Sequence, residues 1–348
     1  MTTMENTIIW ESPSNIALIK YWGKYGVQLP CNPSLSMSLK QSVSRFELTY
    51  SPKKEGEKDL DYLFEGKEHP AFEAKLSQFI TSVSNDLPCL TKYQLKISSS
   101  NTFPHSAGIA SSASAMSALA LCLCSMQEAI DEMEMPRDYF LQKASGIARL
   151  GSGSASRSLF GKYAIWGELE GLPQSSNAYA IAFTDPIHPI FDQLQDTILM
   201  IDSSPKKVSS TAGHALMNNH PYADARFNQA RLNMAELLVV LKQGDFENFT
   251  RIVENEALSL HALMMNSNPS YTLLKPNTLE AIERIRDFRK QNNLPLTFTL
   301  DAGPNIHLLY PKQSENEVLA FINSDLLELL EEGKYIQDGM GNGPKRIK

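Results

Sequence analysis

A chain of 348 residues, 42% hydrophobic and 20% charged, carries enough apolar material for a large core and enough length for two ordinary domains. Its net charge of -7 and isoelectric point of about 5.6 argue against nucleic acid or an anionic membrane as the main partner, so an anionic ligand must be met by locally placed cations. The opening MTTMENTIIWES lacks a basic stretch leading into an apolar one, and the small-apolar run over 113–126 is short and serine-rich, so neither a signal peptide nor a membrane span is expected.

Within 7–50, the runs TIIW, NIALIKYW, SLSMSLK and SRFELTY predict short strands broken by turns. The charged stretch 51–69 predicts an exposed hairpin or loop, 71–84 has helical spacing, and YQLKISSS (93–100) reads as a strand. Helices are predicted over 110–127 and 136–149, then strands over KYAIWGEL (162–169) and DTILMID (196–202). A helical stretch from about 222 to 264 breaks near Gly244. A helix over 277–291, the strand pair PLTFTLD and NIHLLY, and a helix over 314–331 follow. Helices and strands mix without strict βαβ alternation or internal repeat, which predicts an α+β protein with a boundary near 185–195. Cys31, Cys89, Cys122 and Cys124 are too few and scattered for a disulfide framework, so a reduced, cytoplasmic protein is expected. The seven histidines show no zinc spacing, and no metal-ligand cluster is visible.

Four segments carry chemistry. NTFPHSAGIASSASAMSALALC (101–122) leads a proline, a glycine and small residues into a helix. Such residues let a phosphate reach the free N–H groups and positive dipole end of the first turn, with Gly108 permitting the bend and Ser111 and Ser112 adding hydroxyls. A capped helix packed through small residues has the same composition, so composition leaves both readings open. SPSNIALIKYWGK (12–24) sets Lys20, Tyr21 and Lys24 around a Trp22-Gly23 turn, either a solvated edge or an anion grip. GSGSASRSLFG (151–161) places small hydroxyl residues before Arg157 and reads as a second loop leading into a helix. TLDAGPNIHLLY (299–310) ends a strand on Asp301 at a Gly303-Pro304 turn, a place for a turn cap or for a catalytic acid or base.

These segments, in this order, resemble the mevalonate diphosphate decarboxylases of the GHMP kinase superfamily. The likeness rests on Pro104-His105-Ser106-Ala107-Gly108-Ile109-Ala110-Ser111-Ser112, Tyr21-Trp22-Gly23-Lys24, the Gly151–Gly161 block and Asp301-Ala302-Gly303-Pro304-Asn305, and it runs nearly to the closing GMGNGPK. It implies a two-domain α+β fold: a ribosomal-protein-S5-domain-2-like domain over 1–190 and a ferredoxin-like domain over 191–348, with the active site between them. It implies ATP-dependent conversion of (R)-5-diphosphomevalonate to isopentenyl diphosphate, CO2, ADP and phosphate by a cytoplasmic homodimer of the isoprenoid route. Asp301 would orient or deprotonate the 3-hydroxyl, Lys20 would bias Asp301 toward its ionised form, and Arg157 would grip the C1 carboxylate. Tyr21, Trp22, Gly23, Lys24, Ser152, Gly153, Ser154, Ala155, Ser156, Ser209, Ser210 and Thr211 would surround the substrate. Residues 104–112 would hold ATP, with Mg2+ carried mainly by phosphate oxygens. The alternatives are a relative that acts on mevalonate or its monophosphate, decarboxylating it or stopping at 3-phosphorylation, and a non-catalytic binding protein. The chain departs from the family at His214 and His220, where many members have Gly-Met and a Thr-Ser pair, and at His105 and Lys162, where a small residue and a glycine are usual. Both His214 and His220 read as structural or exposed residues rather than ligands.

Overall fold

The computed structural model describes residues 6–104, 109–204 and 208–348. Strand β1 (Asn6–Ile19) leads into a small hairpin, β2 (Lys24–Tyr25) and β3 (Leu29–Pro30), and the chain returns as β4 (Ser34–Pro52), antiparallel to β1. A surface hairpin of β5 (Leu60–Phe64) and β6 (Lys67–Glu68) and helix α1 (Pro70–Ser82) precede β7 (Tyr93–Asn101), which pairs with β4 and, in parallel, with β5. Helices α2 (Ser111–Asp131) and α3 (Arg137–Gly151) follow, then β8 (Tyr163–Trp166) and β9 (Ala180–Ala182), with β8 pairing against the start of β4. Next come β10 (Leu194–Leu199), α4 (Ser210–Ala215), α5 (Ala223–Gln243), α6 (Phe246–Met265) and α7 (Pro276–Asn292). The chain closes with β11 (Thr297–Leu300), β12 (Ile306–Pro311), α8 (Glu315–Phe321), β13 (Tyr335–Gly339) and β14 (Lys345–Arg346). Among the described residues, β10 to β13 form an antiparallel sheet in the order β11-β12-β10-β13, while β14 returns to pair with β1 in the larger sheet.

The four short strands expected over 7–50 are two long ones. Pro13 does not end β1, because register shifts between Pro13 and Asn15 and between Ala17 and Ile19 absorb the missing donor as bulges. Helices α1 to α3 cover one face of the larger sheet, where Trp10, Phe46 and Leu48 meet Leu119, Leu123 and Phe140. Serines on α2 reach the strands: Ser117 to Ser12 (2.6 Å), Ser114 to Ser44 (2.7 Å), and Ser125 accepting from the Trp10 indole (3.0 Å). The small, hydroxyl-rich run is therefore partly a packing device, letting α2 lie close to the sheet with its polar groups paired. At 21 residues α2 is long and apolar enough to cross a membrane, but it is a core helix here, and Cys122 and Cys124 are both buried. The end of β1 and the start of β4 are covered on the other face as well, by β10, α5 and α6. That double burial explains why Ser34, Ser36 and Ser38 are as buried as the apolar residues between them. The helix expected over 314–331 is α8 followed by a π turn over 322–326 and a 3-10 turn over 327–329.

The two sheets are tied near the C-terminus. The Asp338 carboxylate on β13 accepts the backbone N–H groups of Lys40, Gln41 and Ser42, each at 2.8 Å. Gly341 lets the chains cross just beyond, since a Cβ there would lie 2.1 Å from the Leu39 carbonyl oxygen. Lys162 holds φ +54°, the left-handed region that glycine adopts without strain. Replacing Asp338 leaves three amides of β4 without an acceptor, so Asp338→Ala is expected to lower unfolding free energy by about 2–3 kcal/mol. Urea denaturation measures this; a loss below about 0.5 kcal/mol, the level of an ordinary surface change, would contradict the assigned tie.

Candidate functional site

Lys20 is the first residue past β1, and Asp301 is the first past β11. The two sheets thus deliver an ammonium and a carboxylate to one place, with Nζ 3.0 Å from Asp301 Oδ1. Lys20 is 1% exposed, and its Nζ also donates to the Ala17 carbonyl at 2.6 Å. Burial pulls its pKa below the usual lysine value, and Asp301 pulls it back up. The peptide of Lys20 is held on both sides. Its N–H donates to Glu256 Oε2 (2.8 Å), and its carbonyl accepts from Asn32 (3.0 Å) and Arg226 (3.2 Å). Arg226 and Glu256 form a buried two-point ion pair at 2.7 and 2.5 Å, and Asn233 donates to the same carboxylate at 2.6 Å. On the far side, the backbone oxygen of Asp301 meets His261 Nε2 at 3.1 Å and accepts from the Gly303 N–H at 2.7 Å.

The block around Arg157 differs from the expected loop leading into a helix. Helix α3 ends there, Ser152 is extended, and a 3-10 turn spans Gly153–Leu159. That turn carries Arg157 inward to 3% exposure. Its Nε donates to Ser36 (3.0 Å), Nη1 to Ser34 (2.5 Å) and Nη2 to Asn15 (3.5 Å), with the guanidinium over Trp166. A guanidinium has five N–H groups, so a hydrogen remains on each terminal nitrogen for a ligand. Burial pulls the Arg157 pKa down to about 10, while Asp301 and Tyr21 oppose it.

Lys20, Arg157 and Asp301 border a cavity of about 580 Å³. Tyr21, Trp22, Lys24, Ser152, Gly153, Ser154 and Thr211 also line it, as do Ala110 and Ser112 at the start of α2. Ser112, Ser152 and Ser154 form a chain of hydroxyls 3.3 Å apart. Burial raises the Tyr21 phenol and lowers Lys24, whose Nζ donates to Gln28 at 2.8 Å. Among the described residues the first turn of α2 has no side-chain cap, and its Ala110 N-cap is left-handed (φ +45°), so no capping side chain competes with a ligand there.

Other expected residues are placed differently. Ala155 and Ser156 are fully buried, because the 3-10 turn points them into the protein; Ser156 Oγ donates to Gly153 O, and its carbonyl accepts from Ser145. The Gly23 N–H is taken by His214, and the Ser209 hydroxyl caps α4 by accepting the Ala212 N–H. Ser210 is the first residue of α4; Ser111, the first of α2, does not border the cavity as described. Ile109 is buried, its carbonyl accepting from Ser14, and Pro104 is exposed outside the cavity. His105, Ser106, Ala107 and Gly108 lie outside the described residues.

Several functional residues carried no sequence signal as single letters. Glu256 and Arg226 sit thirty residues apart on α6 and α5, and only the packing of those helices joins them. Ser34 and Ser36 had one, the SLSMS alternation, which reads as a half-exposed strand. Lys75, from the predicted helix α1, stands on the cavity wall. The two departures at histidine diverge. His220 is structural, bonded to Tyr222 N and Leu263 O, whereas His214 borders the cavity, against expectation. Among the described residues, no group of three His, Cys, Asp or Glu could hold a metal ion.

Burial, reinforced by Lys24 and Arg157, pulls His214 down to about 3 from the usual 6.5. The folded protein thus keeps this ring neutral while the unfolded chain protonates it, so stability falls as pH drops from about 6.5 toward 3. Between pH 7 and pH 5 the wild type is expected to lose about 2 kcal/mol more than His214→Phe. Equal losses in urea melts at the two pH values would contradict a buried neutral His214.

Sequence models match both halves of the chain: a diphosphomevalonate decarboxylase-like N-terminal domain over residues 12–180 and a mevalonate 5-diphosphate decarboxylase C-terminal domain over 197–342. The diphosphomevalonate decarboxylase of Candida albicans is 30% identical over 89% of this chain and 86% of its own. The solved mevalonate diphosphate decarboxylase of Staphylococcus aureus superposes with a TM-score of 0.85 at 26% identity, covering 99% of both chains. MDDEF, solved in complex with MVAPP, AMPPCP and magnesium, superposes with a TM-score of 0.83 at 25% identity, again covering 99% of both. The mixed α+β architecture is accordingly the two-domain GHMP kinase fold. From its cavity, its fold and these matches over both halves, the chain belongs to the diphosphomevalonate decarboxylase family.

Proposed function

We propose that this protein uses ATP to decarboxylate (R)-5-diphosphomevalonate to isopentenyl diphosphate, with release of CO2, ADP and phosphate. The observation that carries the reading is the 3.0 Å contact between Lys20 and Asp301 in a cavity shared with the Arg157 guanidinium. Two charges of opposite sign plus a carboxylate grip match a substrate that must lose a proton and a CO2 in one pocket.

The tertiary 3-hydroxyl attacks the γ-phosphorus of ATP, its proton passes to Asp301, and the bond to ADP breaks. Lys20 holds the Asp301 carboxylate in orientation through its 3.0 Å contact. The new 3-phosphate leaves with the C3–O electron pair, so positive character builds at C3. The C1–C2 pair then closes the C2=C3 double bond as CO2 departs. Arg157, fixed by Ser34, Ser36 and Asn15, presents its remaining N–H groups to the C1 carboxylate and sets the direction of that bond. Tyr21, Lys24, Ser152, Ser154 and Thr211 supply donors for the 5-diphosphate. The uncapped first turn of α2, with Ala110 and Ser112 at the cavity, fits the ATP phosphates. Mg2+ would be carried mainly by the phosphate oxygens, and the Ser112 hydroxyl, which borders the cavity, could join them. Bound there, the ion supplies charge neutralisation between phosphates. In the same reading, residues 1–190 and 191–348 are the two domains. The protein works as a cytoplasmic homodimer; its free, scattered cysteines support reducing surroundings, and the family resemblance supports the pairing.

Asp301 and Arg157 are expected to fail differently. Asp301→Asn removes the proton acceptor at constant volume, so turnover falls by at least about 10²-fold while ATP affinity stays within about threefold. Arg157→Lys keeps a charge but loses the planar fork, so CO2 release falls more than ADP release. Paired assays of ADP and CO2 on both variants check this; near wild-type turnover by Asp301→Asn would overturn the assignment.

A further inference from the structure

His214 is not needed by the steps above, yet the structure orients it closely. Its Nδ1 accepts the backbone N–H of Gly23 at 3.0 Å. Its ring lies between Tyr21 and Trp22, with centroid distances of 4.3 and 4.4 Å, and Tyr21 rests in turn on Trp166 at 4.7 Å. The ring is 8% exposed and cannot rotate without losing a hydrogen bond and two ring contacts. Because Nδ1 accepts from an amide that has no other role, the neutral ring carries its proton on Nε2. Among the described residues His214 is hydrogen-bonded through Nδ1, and the ring is not sealed off, since it borders the cavity together with Lys24, Ser154, Arg157 and Thr211.

We propose that His214 is an uncharged N–H donor to the phosphoryl oxygens of the substrate's 5-diphosphate, extending the proposed function by one named contact. Lys24, Ser154 and Thr211, which line the same cavity, are donors too, so a ligand with several anionic oxygens satisfies them together. Lys24 and Arg157 stand close enough to act on the ring electrostatically. A neutral donor adds a hydrogen bond to the anion without crowding a third positive charge into that space.

Two measurements separate this contact from a packing role. In the wild-type protein labelled at histidine nitrogens, the Nε2–H signal of His214 is expected to shift on addition of inorganic pyrophosphate. In kinetics, His214→Phe keeps the ring but removes the donor. Its KM for diphosphomevalonate is expected to rise about tenfold, the effect of one hydrogen bond to a charged group, with kcat and the KM for ATP changed less than about threefold. His214→Gln, which restores an N–H, should recover part of the loss. An Nε2–H signal unmoved by pyrophosphate, or a Phe variant with unchanged KM for the diphosphate, would overturn the contact. A wild-type protein that shows the pyrophosphate shift but turns over no diphosphomevalonate would overturn the proposed function and support the contact.

Discussion

The ion pair between Lys20 and Asp301 is the constraint around which the rest of the site is arranged. An ammonium at 1% exposure is unfavourable unless its hydrogens are met, and here they meet Asp301 and the Ala17 carbonyl. Losing Asp301 would leave the buried Lys20 ammonium without its counter-charge, so both sheets must converge for this lysine to be tolerated. The convergence is built outward from the pair. Glu256, Arg226 and Asn32 fix the Lys20 peptide, and His261 and the Gly303 turn fix the Asp301 backbone. The cavity is thus a junction of two sheets, and its chemistry depends on residues from β1, α5, α6 and β11 meeting at one point.

A second consequence follows from charge. The chain is acidic overall, at -7, but its cavity collects Lys20, Lys24, Lys75 and Arg157 with a chain of serine hydroxyls. Local concentration of cations and N–H donors is what a ligand rich in phosphate oxygens requires, and net charge has no bearing on it. Two of the cations are restrained. Burial draws both Lys20 and Arg157 below their ordinary pKa, and in each case the negative charge of Asp301 opposes that pull. One carboxylate therefore serves both cations.

Much of this was legible in the sequence, for a physical reason. The motifs sit where strands end, so Lys20 after β1, Asp301 after β11 and Ser112 at the head of α2 were readable as local punctuation. Arg157 was readable as a cation in the right block, but its setting was not. A 3-10 turn, rather than a helix start, carries it inward, and the turn buries Ala155 and Ser156 as well. The break expected between TIIW and NIALIKYW is absent for a similar reason, since a bulge lets β1 continue through Pro13. The unread residues are those defined by tertiary pairing. Glu256 and Arg226 look like ordinary charges on two amphipathic helices, and Ser34 and Ser36 look like the wet face of a strand that is in fact covered on both sides. His214 reads from the sequence as structural or exposed because a single histidine gives no sign of which neighbours will trap it. Its position between Tyr21 and Trp22 exists only once α4 packs on the β1 turn.

The most direct test of the account is product stoichiometry with the wild-type protein. Purified protein would be incubated with ATP, Mg2+ and, in separate reactions, mevalonate, its 5-phosphate and its 5-diphosphate, with ADP and CO2 followed together. The account predicts equal amounts of ADP and CO2, with the diphosphate as the preferred substrate. ADP without CO2, or a preference for mevalonate or its monophosphate, would contradict it.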